Sequence, residues 1–501
     1  MLKLSRACAL TFSLVCLLPA GLALADDEET ERPDPKELDD DLLTVAQSLI
    51  ERGQETGIAW DLLEGLVTEV GPRFAGTAGD RAAVSWALTE LRELGFESIE
   101  TEEVEVPRWV RGDIKVEITE PYPQDMVALA LGGSPGTPDD GIQAPVVAAE
   151  NVEALQDMDR SEVEGRIVFL SERMEATRDA SGYAEVVPNR SAGPAVASEM
   201  GAVATVIRSV GSSDERVAHT GGTRFPDDVD PIPAAALPNP DADMLERQLD
   251  TGRTVKLDMH LTARELSPTT SANVIAEVPG RDPDAGVVLL GAHLDSWDIT
   301  PGAHDDAAGV AIVTTAARLI SELDRQPRRT LRVVLYANEE FGLSGAQTYA
   351  ENRSDNLEEH FIALGADLGG DRVWRFDTVM NEDALATASA MFELIEPLGV
   401  EWGDNDGYGI PDFIPLREQG VPILDPVQDA TRYFDIHHTI NDTLDKVDPE
   451  SLQQNVAIYA ALAWLAANVE EDFRPTPVVA DDADEEDEAE EEEEEEENDE
   501  E

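Results

Sequence analysis

Cysteine and lysine are the two residue types that this chain nearly lacks. Both cysteines, Cys8 and Cys16, lie close to the N-terminus, so the rest of the chain offers neither a disulfide nor a thiolate metal site. Lysine is confined to a few scattered positions, and the formal net charge of the 501 residues is -70. Such a surface repels phosphate groups, and we therefore expect no nucleic-acid partner.

Beyond its N-terminus the sequence also lacks a long apolar segment. Lys3 and Arg6 give a basic start, an apolar run over residues 7–18 follows, and Ala23-Leu24-Ala25 supplies the small residues of a cleavage site. The apolar run is short for a membrane span. We predict that residues 1–25 are a signal peptide, and that the mature protein is exported, periplasmic or secreted, without stable membrane insertion.

Changes in composition divide the rest of the chain. Residues 26–119 combine an acidic arm with helical spacing of apolar residues and one strand, whereas residues 120–265 are rich in glycine, proline and short β-like runs. A βαβ rhythm then continues to residue 475, which predicts a mostly parallel central sheet between helices. Residues 26–119 and 266–475 would thus form one catalytic α/β domain around an insert at residues 120–265. Residues 476–501 are predicted to be a disordered acidic tail.

Five short stretches in the second half of the chain carry the residue types of a metal-dependent hydrolase. Most of them follow a predicted strand, where open α/β sheets place their chemistry. Their nitrogen and oxygen donors, without thiols, suit divalent metals. In chain order they are His293-Leu294-Asp295, His304-Asp305-Asp306, Glu339-Glu340, Asp367 and His437-His438.

Each stretch also has a plain structural interpretation. A carboxylate of the Asp305-Asp306 pair caps a helix in one interpretation and bridges two cations in the other. Asp367 fits a turn as well as a ligand, and either histidine of His437-His438 fits a surface loop as well as a metal site. The joint occurrence of all five stretches favours the metal site.

Two pairs suggest a division of labour within that site. Asp295 stands two residues after His293 and would orient the histidine ring. The adjacent carboxylates of Glu339 and Glu340 are costly unless a cation or a proton compensates them. We expect Glu340 to bind metal and Glu339 to take a proton from metal-activated water as the general base.

Several motifs resemble those of the co-catalytic di-zinc exopeptidases related to bacterial leucyl aminopeptidase, and in particular the carboxypeptidase Q group. The likeness extends over roughly residues 40–470 and leaves out the acidic tail. The motifs are Gly291-Ala292-His293-Leu294-Asp295, Gly302-Ala303-His304-Asp305-Asp306, Glu339-Glu340, Gly71-Pro72-Arg73, Pro107-Arg108-Trp109 and His219-Thr220-Gly221.

The resemblance implies the zinc exopeptidase fold, with a β-rich protease-associated-like insert and two Zn²⁺ ions per chain. Asp305 would bridge both ions. His293 and Asp367 would complete one site, and Glu340 and His438 the other. Spacing from the pair Asp442-Thr443 selects His438 over His437.

Further expectations follow from the same resemblance. The substrates would be dipeptides or short peptides, the protein would form a homodimer, and the Asp305–Asp306 peptide bond would be cis. The stretch from Gly407 to Asp412 departs from the carboxypeptidase Q pattern. Within it, Tyr408 and Asp412 are candidate substrate contacts.

Three alternatives stay open at the level of sequence. An aminopeptidase would use the same ligands with a different terminal pocket. A non-catalytic binding protein on this fold would normally have lost ligands, whereas this chain keeps all five ligands and the base. An amidohydrolase acting on non-peptide amides is not separated from a peptidase by these residues.

Overall fold

Two eight-stranded sheets organise residues 32–474, the part of the chain that the computed structural model describes. All of these residues belong to one compact unit. The predicted signal peptide and the whole of the predicted acidic tail lie outside the described residues. Within residues 32–474, no helix has both the length and the apolar character that crossing a membrane requires.

The strands of the described residues follow in chain order. They are β1 (Ser98–Val110), β2 (Ile114–Glu120), β3 (Gln124–Met126), β4 (Leu129–Ala130), β5 (Ile142–Ala149), β6 (Ile167–Leu170), β7 (Ala204–Arg208), β8 (Ala234–Leu237), β9 (Lys256–Leu261), β10 (Arg264–Val278), β11 (Val287–His293), β12 (Thr330–Tyr336), β13 (His360–Gly365), β14 (Val373–Val379), β15 (Glu401–Trp402) and β16 (Ile423–Gln428).

The α-helices of the same residues are likewise numbered along the chain. They are α1 (Asp40–Glu55), α2 (Ile58–Gly65), α3 (Ala78–Glu93), α4 (Val152–Gln156), α5 (Arg160–Val163), α6 (Ser181–Val186), α7 (Pro188–Ser191), α8 (Gly193–Glu199), α9 (Asn239–Leu249), α10 (Ala308–Ser321), α11 (Ser344–Asn352), α12 (Leu385–Ile395), α13 (Ile414–Arg417), α14 (Tyr433–Ile436) and α15 (Pro449–Asn468).

The first sheet has the strand order β1-β10-β12-β11-β13-β16-β14-β15. Its centre is parallel, since β11 pairs in parallel with β12 and β13, and β13 pairs in parallel with β16. Antiparallel pairs flank this centre, at β1 with β10, β10 with β12, and β14 with β16. The sheet is therefore mixed, and its central strands have the predicted parallel arrangement.

Helices cover this sheet because their apolar residues recur on the buried side. Helix α10 is buried along nearly all of its length and packs against α15, α1 and β11. A side chain at Gly309 would place its Cβ 2.1 Å from the Ala366 carbonyl oxygen, so glycine permits the close approach to the chain after β13. Helix α15 starts at Pro449, and its N-cap Asp448 accepts the Ser451 amide hydrogen.

The second sheet, ordered β3-β2-β9-β5-β6-β7-β8-β4, uses strands between Ile114 and Leu261. It begins six residues before the predicted insert boundary at residue 120. Its hydrophobic cores also include residues of the surrounding chain, such as Phe74, Trp297 and Phe434. The division of the chain into separate domains stays a prediction, but the second sheet packs firmly against the site-bearing part.

Candidate metal centre

The parallel centre of the first sheet brings the predicted site residues together. Strands β12, β11 and β13 are neighbours, so the chain segments that follow their carboxyl ends emerge at the same edge. His293 ends β11, Glu339 and Glu340 follow β12, and Asp367 follows β13. Residues distant in sequence thus converge because their strands pair side by side.

Two groups of side chains meet at Asp305. In the first group, His293 Nε2 lies 3.1 Å from Asp305 Oδ1 and 3.3 Å from Asp367 Oδ1. In the second, His438 Nε2 lies 2.9 Å from Glu340 Oε2 and 3.3 Å from Asp305 Oδ2. The two oxygens of Asp305 therefore face different histidines, which is the arrangement of a carboxylate able to bridge two cations.

His437 lies in the second group, beside His438, although the spacing in the sequence selected only His438 as a ligand. Its ring stacks on that of His438 with centroids 3.5 Å apart, and its Nε2 is 3.8 Å from Asp305 Oδ2. Asp305, His437 and His438 together could hold a metal ion, as could His293, Asp305 and Asp367. Burial lowers the pKa of His437 to about 3 and that of His438 well below its ordinary value, so both rings are neutral and can offer a lone pair.

The Asp305–Asp306 peptide bond is cis, as the resemblance implied. The Asp442 carboxylate fixes this turn by accepting the backbone N–H groups of His304 at 2.7 Å and Asp305 at 3.1 Å. Asp306 instead accepts N–H groups from His293 at 3.1 Å and Gly309 at 2.9 Å. The capping interpretation of this acidic pair therefore applies to Asp306, and Asp305 is the carboxylate that faces the two histidines.

Asp295 supports the site in a way that differs from a simple ring hydrogen bond. Its Oδ1 is 3.6 Å from His293 Nδ1, beyond normal hydrogen-bond length, and accepts the Glu339 backbone N–H at 3.0 Å. It therefore ties the end of β12 to the loop after β11. Glu339 is partly exposed beside the buried Glu340.

The buried carboxylates of Glu340 and Asp367 are costly in their ionised form unless a positive charge lies nearby. Burial, followed by nearby carboxylates, raises the pKa of Glu340 well above its ordinary range, and burial also raises the pKa of Asp367. Glu340 Oε1 is buried without a hydrogen-bond partner among the described residues. Buried carboxylates at such density are normally paired or bind metal. Their imidazole and carboxylate donors fit zinc, which accepts both kinds of ligand.

The two candidate substrate contacts have different surroundings. Asp412 is fully buried, in a short 3-10 turn at Pro411–Phe413, and within residues 32–474 neither carboxylate oxygen has a hydrogen-bond partner. Burial raises its pKa well above the ordinary value, and the charges of His293 and Asp367 act on it as well. Tyr408 is exposed at 49%, with the Arg417 guanidinium 5.7 Å from its ring centre. Their roles in substrate binding stay predictions.

The sequence assigned no role to several other residues of the centre. His304 is buried, and its Nδ1 accepts the Gly370 backbone N–H at 3.0 Å. Helices α6 and α7, which lie between β6 and β7, contribute Tyr183 and Arg190, whose side chains reach His437 and His438. Nothing in the spacing of residues 120–265 indicates that these two approach a site built mainly from residues 293–438.

The chain is also similar to known proteins over most of its length. The profile of Peptidase family M28 matches residues 273–463. The chain is similar to carboxypeptidase Q of Mus musculus, with 32% identity over 432 residues that cover 86% of this chain and 90% of the relative.

Two solved structures extend the comparison. The peptidase M28 precursor of Shewanella amazonensis has a TM-score of 0.86 and 44% identity, covering 88% of this chain and 100% of that one. A zinc aminopeptidase from Bacillus subtilis, BSAP, has a TM-score of 0.60 at 19% identity, covering 83% and 98% of the two chains, and shares the fold. The α/β fold predicted from the sequence is confirmed.

Proposed function

The chain belongs to peptidase family M28 and is a metallo-exopeptidase, and from this premise we propose that it is an exported, zinc-dependent enzyme hydrolysing dipeptides or short peptides in the manner of carboxypeptidase Q. The position of Asp305, with one carboxylate oxygen toward His293 and the other toward His438, carries this proposal. We infer export from the predicted signal peptide, and the resemblance to carboxypeptidase Q predicts a homodimer.

The proposed metal complement is two zinc ions per chain. His293, Asp305 and Asp367 would hold one ion, and Asp305, Glu340 and His438 would hold the other. Zinc there would supply Lewis-acid chemistry by lowering the pKa of water and polarising a peptide carbonyl group. The dense buried carboxylates and the unpartnered Glu340 Oε1 support this assignment.

Within that site, Glu339 is the proposed general base and acid. Its carboxylate would take a proton from the attacking water and then pass it to the leaving amine. Asp295 would hold this residue in place, because it accepts the Glu339 backbone N–H and lies beside the His293 ring. Asp412 is a buried carboxylate near the same residues, and with the exposed Tyr408 it is a proposed substrate contact.

An aminopeptidase is the second candidate because of Asp412. A buried carboxylate without a hydrogen-bond partner among the described residues suits a free α-amine as well as a positioning role. Carboxypeptidase, dipeptidase and aminopeptidase reactions differ in which free terminus of the substrate is required, so the choice is open to direct test.

Mass-spectrometric product analysis tests the reaction itself. The zinc-loaded mature protein is incubated with matched peptides that are free, N-acetylated or C-amidated. We expect cleavage that survives N-acetylation and fails on C-amides, as for a carboxypeptidase. Cleavage blocked by N-acetylation alone would mean an aminopeptidase, and cleavage of free dipeptides alone a dipeptidase. If the zinc-loaded protein cleaved none of these peptides, the proposed function would be wrong.

The neighbouring histidines provide a matched pair of variants for the second metal position. H438Q is expected to lose about one zinc ion per chain and to lower kcat/KM by more than the ~10–100-fold typical of outer-shell partners. H437Q should retain the zinc of the parent protein, because the Glu340 contact belongs to His438. Elemental analysis and kinetics on the same preparations measure both effects. The opposite pattern would transfer the ligand role to His437.

A further inference from the structure

A short segment between two strands of the second sheet lies against the loop that carries His437 and His438. Its residues His219 and Thr220 stand in the connection between β7 and β8, and both are buried. The Thr220 N–H donates to the His438 carbonyl oxygen at 3.0 Å, and His219 Nδ1 lies 2.7 Å from the His437 carbonyl oxygen. His438 Nδ1 in turn lies 3.2 Å from the Thr220 carbonyl oxygen. Three hydrogen bonds thus join this segment to the two adjacent histidines.

These contacts decide which ring nitrogens carry hydrogen. A carbonyl oxygen can only accept, so His219 and His438 each carry their hydrogen on Nδ1. Burial lowers the pKa of His219 to about 4, so its ring is neutral. Its Nε2 is buried without a hydrogen-bond partner within residues 32–474. The His219 ring therefore acts through Nδ1, while His438 keeps the lone pair of Nε2 for the side on which Asp305 and Glu340 lie.

The backbone of His438 has a conformation that needs such support. Its φ is 59°, in the left-handed region that residues with a side chain rarely adopt. The hydrogen bonds from His219 and Thr220 hold the carbonyl groups on both sides of this residue. His438 thereby keeps the orientation in which its Nε2 lies 2.9 Å from Glu340 Oε2.

The segment that holds His438 is itself anchored to both sheets. A side chain at Gly211 would put its Cβ 2.3 Å from Cε1 of His219, so glycine leaves the space that the imidazole occupies. Arg111 donates to Thr220 Oγ1 at 2.8 Å, and its Nε lies 3.1 Å from Asp298 Oδ1 in the loop after β11. Thr220 is therefore fixed to the chain that follows a central strand of the first sheet.

We infer that His219 is a positioning residue for the second metal position, the one formed by Asp305, Glu340 and His438. Its Nδ1–H holds the His437 carbonyl group and so fixes the backbone from which the His438 ring extends. This inference rests on the proposed di-zinc function and adds a contribution from the second sheet, which supplies none of the proposed ligands. The two sheets then build one metal position together, because the first supplies carboxylates and the second fixes the histidine.

Two amide variants separate the contributions of the two ring nitrogens of His219. In H219N the amide nitrogen can take the place of Nδ1 and still donate to the His437 carbonyl group, whereas H219Q carries its amide where Nε2 lies. We expect H219Q to bind one zinc ion about 10–100-fold more weakly than the wild type and the other with unchanged affinity, as for the loss of an outer-shell partner. H219N should bind both ions nearly as tightly as the wild type. Titration of the zinc-loaded proteins with a competing chelator measures both affinities.

A purely structural role for His219 would give a different result, because both amide variants would then lose thermal stability while both zinc affinities stayed unchanged. That outcome overturns the inference, and so does equal weakening of zinc binding in H219N and H219Q. The control H260L removes a partly exposed histidine of β9 in the same sheet and should leave both affinities unaltered. If H219Q does not fold, H219L decides: weaker binding of one ion supports the inference, and wild-type affinity for both ions refutes it.

Failure of this inference is distinct from failure of the proposed function. If the wild type binds two zinc ions and cleaves peptides, and H219Q binds both ions equally well, the function stands and only the role of His219 is refuted. Wild-type protein that binds no zinc would contradict both.

Discussion

Replacing Glu339 with glutamine is expected to lower kcat by about 10²–10⁴-fold, the range of general acid–base catalysis, while the bound zinc is retained. Glutamine has nearly the same shape but cannot take a proton from water or return it to an amine. Glu339 is partly exposed and is not one of the proposed ligands, and its backbone N–H remains bound to Asp295. Turnover and zinc content are measured on the same preparation of E339Q.

The adjacent residue supplies the contrast to this variant. Glu340 Oε2 lies 2.9 Å from His438 Nε2, so E340Q should lose zinc as well as activity. Both variants would then be inactive, but E340Q would also lose zinc whereas E339Q would retain it. Near-normal turnover of E339Q would reject the base assignment, and zinc loss in E339Q would make this residue a ligand instead.

The parts of this site that sequence could predict are those at the ends of regular strands. The buried run before His293 reads as a strand, and adjacent parallel strands deliver their carboxyl ends to one edge of the sheet. His293, Glu340 and Asp367 were therefore placed together by local pattern combined with a general rule of α/β sheets. The family resemblance, rather than this pattern, supplied the bridging role of Asp305.

The remaining parts depend on contacts that no local pattern encodes. Strand β16 contains Asp425 and Pro426 and β14 contains charged residues, so neither was predicted, although both pair in the first sheet. Arg190 sits on a four-residue helix and reaches His438 across 248 positions of sequence. Its position beside the centre comes from burial and long-range packing, and both are properties of the folded chain.

Asp442 illustrates the same limit within the centre. In sequence it served as one member of an Asp-Thr pair that set the spacing to His438. In the structure its carboxylate holds the backbone of His304 and Asp305, which fixes the turn that carries the bridging candidate. Asp442 is thus a positioning residue. The sequence used it only to mark the spacing to His438, and its contacts with the backbone of His304 and Asp305 become visible only in the folded structure.

The variant D305N should abolish zinc binding at both positions and reduce hydrolysis to the buffer background. Asp305 has one oxygen 3.1 Å from His293 Nε2 and the other 3.3 Å from His438 Nε2. Asparagine offers one carbonyl oxygen and a donor N–H₂ group, so it can serve at most one cation and carries no charge to balance either. Because Asp305 is shared, its loss affects both positions, whereas losing Asp367 would affect mainly one.

D306N is the matched control for this change, since it alters the next residue by the same chemistry. Asp306 accepts two backbone N–H groups and caps α10, so D306N should lower thermal stability while retaining zinc. Elemental analysis, thermal unfolding and kinetics on both variants separate the two effects. Full zinc content in D305N would exclude the bridge, and zinc loss confined to D306N would show that the neighbouring carboxylate binds the metal. Loss of one ion in D305N, with the other retained, would restrict Asp305 to a single position and leave the two cations without a shared carboxylate.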